Sequence, residues 1–158
     1  MNIPSPFKGT DLDPALVCEF FAVFSRFEFA LKESGCVRTD RGIVQPAWRK
    51  FGEEASRKLV IESGSELAAA ALTLCKEPPK IQTGAQSWEA RALHGETEIE
   101  KALDAAVRVR NNLFHGGKHT PHSPPGQDNK LIQASLQLLF GCLEQDRELY
   151  ETYVENES

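Results

Sequence analysis

The run Arg108-Val109-Arg110-Asn111-Asn112-Leu113-Phe114-His115-Gly116-Gly117-Lys118 is where a long amphipathic helix stops. Upstream of it, Ile99, Ala102, Leu103, Ala106 and Val107 recur at the spacing of one helical face. Phe114, seven residues past Val107, continues that stripe and is expected on the core side. The helix is read from Glu96 to His115, because two consecutive glycines end it. Beyond them, glycine and proline at 116, 117, 121, 124, 125 and 126 impose an irregular loop.

On the N-terminal side, Asp13-Pro14 is an N-cap followed by proline at the first helical position. Leu16, Val17, Phe20, Phe21, Phe24, Phe27 and Leu31 follow as a wide apolar stripe to about Ser34, with Gly35 as the stop. A second helix is expected from Pro46, burying Trp48, Phe51, Ala55, Leu59 and Val60, and ending near Gly64. Ser65 then caps an alanine-rich third helix through Cys75, stopped by Pro78-Pro79. Residues 36–45 read as a short connector with a turn at Gly42, and Lys80–Gly95 as a polar loop with a turn of helix near Trp88. One long last helix is expected from about Asp128 through Tyr150. No period-two pattern stands out. The expectation is an all-α, up-and-down bundle of four to five helices, with residues 1–12 a flexible lead-in and 13–155 one domain.

The composition narrows the function classes. The chain has 158 residues and a formal net charge of −5, which argues against coating nucleic acid by bulk electrostatics but leaves room for one local basic site. No apolar run reaches the roughly 18–20 residues of a membrane span, and Met1–Lys8 lacks the order of a signal peptide, so a cytoplasmic protein is expected. The four cysteines form no Cys-x-x-Cys pair and are expected to be free thiols. His115, His119 and His122 resemble a ligand series, but Gly116-Gly117 breaks the helix that would align them, so no metal and no cofactor are expected.

The residues that end the penultimate helix are suited to phosphodiester chemistry. Asn111 and His115 are i and i+4 and share a face, and Arg110 lies one step aside with a long side chain. An imidazole can take the proton of a ribose 2′-hydroxyl or deliver one to the leaving oxygen. A guanidinium can pair with the phosphate, and an amide can orient either. Arg110, His115 and Asn111 are therefore the candidate catalytic residues, with Lys118, His119 and Arg108 as candidate phosphate contacts. Glu28, a charge in an otherwise apolar helix beside Arg26, is expected either to support Arg110 or an equivalent group, or to form a surface ion pair. Trp48 and Trp88 are read as structural. Spacing alone favours a hydrated helix end over a catalytic site.

The segment Arg110-Asn111-Asn112-Leu113-Phe114-His115 resembles the HEPN superfamily, in which Arg, a polar residue and a spacer of four to six residues precede His. Its position before a glycine-rich loop and a last long helix, and the opening run Phe24-Ser25-Arg26-Phe27-Glu28-Phe29-Ala30-Leu31, extend the resemblance over roughly residues 14–154. The resemblance implies a metal-independent endoribonuclease in which two copies of the chain bring their Arg and His into one cleft. It also implies a toxin or defence effector acting on RNA, with an antitoxin or nucleotidyltransferase-like partner. The alternative is a non-catalytic module that binds nucleotide or a partner protein.

Overall fold

In the computed structural model, which describes residues 1–116 and 123–155, six helices and four short strands follow one another. They are α1 (Pro14–Glu33), β1 (Val37–Asp40), β2 (Ile43–Pro46), α2 (Trp48–Lys58), α3 (Glu66–Lys76), β3 (Ile81–Gly84), β4 (Ser87–Glu89), α4 (Glu98–Phe114), α5 (Gln127–Gln145) and α6 (Arg147–Val154). The strands form two separate antiparallel hairpins, β1–β2 and β3–β4. The fold is thus mixed α/β, and the expected all-α bundle of four to five helices is corrected on both counts.

The physical reason is that the strands carry no period-two signal. They are three or four residues long and largely exposed on both faces, so no alternation of apolar and polar residues is needed. The first hairpin is set by its turn instead. Arg41 and Gly42 adopt φ of 48° and 77°, the two positive values that a type I′ turn requires. An arginine in the first of these positions hides the turn from a search for Asn-Gly or Asp-Gly. The second hairpin replaces the expected loop around Trp88, and its register shifts between Gln82 and Gly84.

Helix α1 starts as its sequence requires. Asp13 Oδ1 accepts from the amides of Ala15 and Leu16, at 2.9 and 3.2 Å. Phe20, Phe24 and Phe27 are almost fully buried along its inner face, each worth about 1.5–3 kcal/mol of burial. The lead-in is tied to α5: Asn129 Nδ2 donates to the Asp11 carbonyl, Asn129 Oδ1 accepts from the Asp13 amide, both at 2.9 Å, and Phe7 packs against the core. The expected single last helix is broken at Asp146. Its extended backbone (φ −113°, ψ 94°) ends α5, and its carboxylate caps the amide of Leu149 to start α6.

α5 packs against α1, α3 and α4, and buries Leu131, Ile132, Leu136, Leu138, Leu139 and Cys142 at the centre. α4 presents Ala102, Ala105 and Ala106, all fully buried, whose small side chains let it lie close to its neighbours. A capping box begins α4: Thr97 Oγ1 accepts from the Glu100 amide and Glu100 Oε2 accepts from the Thr97 amide. Among the described residues, no helix is long and apolar enough to cross a membrane.

Candidate active site

The end of α4 carries the residues that the sequence singles out, and the fold treats each differently. Arg110 turns inward toward α1. Its Nη2 donates to Glu28 Oε1 at 2.7 Å, and its guanidinium lies 5.0 Å from the centre of the Phe24 ring. Glu28 and Phe24 are four residues apart on α1, so one turn of that helix supplies both the counter-charge and the aromatic face. The same Glu28 oxygen accepts from Trp48 Nε1 at 2.9 Å, which brings the start of α2 into the arrangement. The indole is held in turn by the Phe27 ring, stacked on it at 5.6 Å. Arg110 and Glu28 keep 27% and 23% of their side-chain surface, so the pair is accessible although its orientation is set by protein on three sides.

Arg110 Nε is buried without an acceptor among the described residues. Such a donor costs free energy, which the contact with the Phe24 ring offsets in part. An arginine held in this way has few alternative rotamers.

His115 is the C-cap of α4. Its amide donates to the Asn111 carbonyl at 2.9 Å, and its exposed imidazole lies edge-on to the Phe114 ring, 5.5 Å between centroids. Asn111 is half-buried one turn earlier. The geometry therefore joins Arg110 to Glu28, and His115 to Asn111 through the backbone, while among the described residues no hydrogen bond joins Arg110 to His115.

Phe114 departs from its expected place. It is 70% exposed, and among the described residues its ring neighbours are His115 and Phe21, the latter at 6.2 Å. The core stripe of α4 ends instead at Val109 and Asn112. Asn112 is buried, and its Nδ2 donates to the Lys80 carbonyl at 2.9 Å, fastening the start of the second hairpin to the helix.

Arg108 is drawn away from the helix end. Its Nη1 and Nη2 donate to the carbonyls of Arg91 and Ala92, at 2.7 and 2.6 Å, and Nη2 also pairs with Asp104 at 2.8 Å. It holds the segment after β4 in place, and Nη2 gives both of its N–H groups to protein acceptors. Lys118 and His119, the other expected phosphate contacts, and His122 lie outside the described residues.

Two contributors were not anticipated as such. Phe24 reads in the sequence as core, and Trp48 as structural; Phe24 is a core residue, Trp48 packs partly buried against the core, and both also hold the Arg110 arrangement. The signal available was the i, i+4 pairing of Phe24 with Glu28, an aromatic and an acid on one face, which suits an incoming arginine. Among the described residues, no group of three or more His, Cys, Asp or Glu side chains is placed to hold a metal.

Comparison of the chain with protein-family models, with curated proteins and with solved structures found no match. The residues themselves therefore carry the functional argument.

Proposed function

We infer that the protein is an endoribonuclease that cleaves RNA by internal 2′-hydroxyl attack, at a cleft formed where two copies bring the ends of α4 together. The single observation that carries this reading is the contrast at that helix end. An arginine is oriented by Glu28, Trp48 and Phe24, and an exposed histidine lies at the helix terminus beyond it. The resemblance to the HEPN superfamily adds the expectation of a dimer.

The chemistry follows from these groups. The 2′-oxygen of the ribose attacks the adjacent phosphorus as an imidazole takes its proton. The bond from phosphorus to the 5′-oxygen breaks, and that oxygen takes a proton from a second imidazole, leaving a 2′,3′-cyclic phosphate and a 5′-hydroxyl. Two copies supply two histidines, one for each proton transfer. Arg110 stabilises the charge that develops on the phosphoryl oxygens, and Asn111 orients the histidine or the phosphate. RNA provides its own nucleophile, so no metal is required. A cytoplasmic toxin or defence effector with an antitoxin or nucleotidyltransferase-like partner belongs to the same proposal.

The test is cleavage of a single-stranded RNA by the purified chain in EDTA, with the product ends analysed. Cyclic phosphate ends and loss of cleavage in His115→Ala, at unchanged helicity by circular dichroism, are the expected result. A fully active His115→Ala protein, or activity that EDTA abolishes, would sink the reading.

A further inference from the structure

A cavity of about 540 Å³ opens between the β1–β2 hairpin, the start of α2 and the first half of α4. Arg38, Arg49, Lys50 and His94 stand around it, with Trp48, Pro46 and Val107 as apolar wall. Its two carboxylates are already engaged by the protein. Asp104 Oδ2 accepts from Arg108 Nη2 at 2.8 Å and from the His94 amide at 3.0 Å. Glu100 Oε2 accepts from the amides of Thr97 and Glu96, at 2.7 and 3.1 Å.

The cations are not matched in the same way. Among the described residues, Arg38 donates only to a neutral group, Gln45 Oε1, at 2.7 Å. Arg49 has no acceptor among the described residues, and Lys50 reaches Glu54 only at 4.0 Å, with both side chains exposed. In a chain of net charge −5, this cavity concentrates uncompensated positive charge around an apolar wall. Its volume lies within the roughly 300–1,000 Å³ of small-molecule sites and exceeds what a lone phosphate needs. Trp48, Pro46 and Val107 give it an apolar wall suited to the flat surface of a base.

The cavity also borders the candidate active site. Trp48 lines it and binds the Glu28 oxygen that holds Arg110. Val107 lines it one helical turn before Arg110 and Asn111.

We propose that this cavity binds a nucleoside phosphate, and that it seats the nucleotide of an RNA strand next to the one being cleaved. The second half rests on the ribonuclease reading; the first does not. The same chemistry, a base with its phosphate, comes either from a strand or from a free mononucleotide, and competition separates the two.

The test is calorimetric titration of the intact protein in EDTA with adenosine 5′-monophosphate, adenosine and inorganic phosphate. It is repeated with the Arg49→Ala/Lys50→Ala protein, whose substitutions are both on exposed side chains. The monophosphate should bind saturably, adenosine and phosphate each at least tenfold more weakly, and the double variant should lose at least tenfold. His115→Ala should bind the monophosphate as the native protein does.

In the RNA cleavage assay, the monophosphate should compete, and the double variant should raise KM about tenfold with kcat changed less than threefold. Binding with cleavage but without competition would assign the cavity to a free nucleotide and overturn the strand half. Binding by a protein that cleaves no RNA would remove the ribonuclease reading and leave the nucleotide site standing. Absence of saturable binding, or binding that the double variant leaves intact, would overturn the proposal even if RNA is cleaved.

Discussion

Glu28 of α1 and Arg110 of α4, separated by 82 residues in sequence, meet side chain to side chain at 2.7 Å, and the same carboxylate oxygen also holds the indole of Trp48. One acceptor therefore orders two donors from two other helices. Glu28→Ala should leave both without it and destabilise the protein by about 1–3 kcal/mol, the range for partly buried polar groups left unpaired. Glu28→Gln should cost less, because its amide oxygen still accepts from Trp48. Urea denaturation of both, with Arg110→Ala in a double-mutant cycle, measures the coupling. An unchanged midpoint in Glu28→Ala would show the contact to be dispensable.

Phe114 tests the paired arrangement. It is 70% exposed and lies beside Phe21 at the helix end that carries His115. In an isolated chain, Phe114→Asp should change stability by no more than about 0.5 kcal/mol, as at other exposed positions. If two copies close a cleft there, the substitution buries a charge in their interface. Light scattering should then report a dimer for the native protein and a monomer for the variant, with cleavage lost in parallel. A monomeric native protein would refute the dimeric cleft.

Gly95 sets the approach to α4. Its φ is 121°, and a Cβ there would collide with Cβ of Glu100 and press on the backbone of Glu100 and Lys101. Backbone cannot give way as a side-chain tip can. Gly95→Ala should therefore cost about 1–3 kcal/mol through strain and displacement of the capping box. Thermal melting measures it, and a variant as stable as the native protein would mean that the segment before α4 relocates freely.

Glu100 gives this helix start a pH dependence. Hydrogen bonds from Thr97, first from its backbone, hold the carboxyl below the usual glutamate range. A carboxyl lowered by folding contributes stability above its unfolded value and loses it as pH falls through the folded one. The native protein should therefore exceed Glu100→Gln in urea midpoint at neutral pH, and the gap should close under acid conditions. A gap that widens on acidification would contradict the sign. Thr97→Ala removes the other half of the box and should cost about 1 kcal/mol.

The thiols should separate by depth. Burial, with Asp146 adding to it, pushes Cys142 up to about 12, and burial also raises Cys36 and Cys75, with Glu54 and Glu98 contributing. Cys18 is exposed. Because the thiolate is the nucleophile, native protein treated with a thiol reagent should show one fast group, absent in Cys18→Ser, and release Cys142 only on unfolding. Fast labelling of Cys142 in native buffer would contradict its burial.

The sequence by itself determined where α1, α3 and α4 lie and where the chemistry-bearing groups end up along α4, though not the break at Asp146 that divides the last helix. Asp13-Pro14, Ser65 and Gly116 stand at helix ends because capping and termination depend on a few adjacent residues. The 3.6-residue period marks the faces that α1, α3 and α5 bury, since one buried stripe per helix is enough to show it. His115 at an exposed helix end follows from the same local logic.

Tertiary structure decided the rest, because it depends on what lies across a gap. The hairpins are held by cross-strand pairing and by a turn that places Arg41 at positive φ, neither of which leaves an alternating pattern in three or four exposed residues. Phe114 continues the apolar period of α4 yet projects past its neighbours, so period predicts a face but not whether anything covers it. Arg108 and Arg110, two residues apart on α4, meet different partners: carbonyls after β4 for one, and Glu28 with Phe24 for the other. A charge's role is set by the counter-charge it meets. For Arg110 that counter-charge comes from α1, which only folding brings alongside.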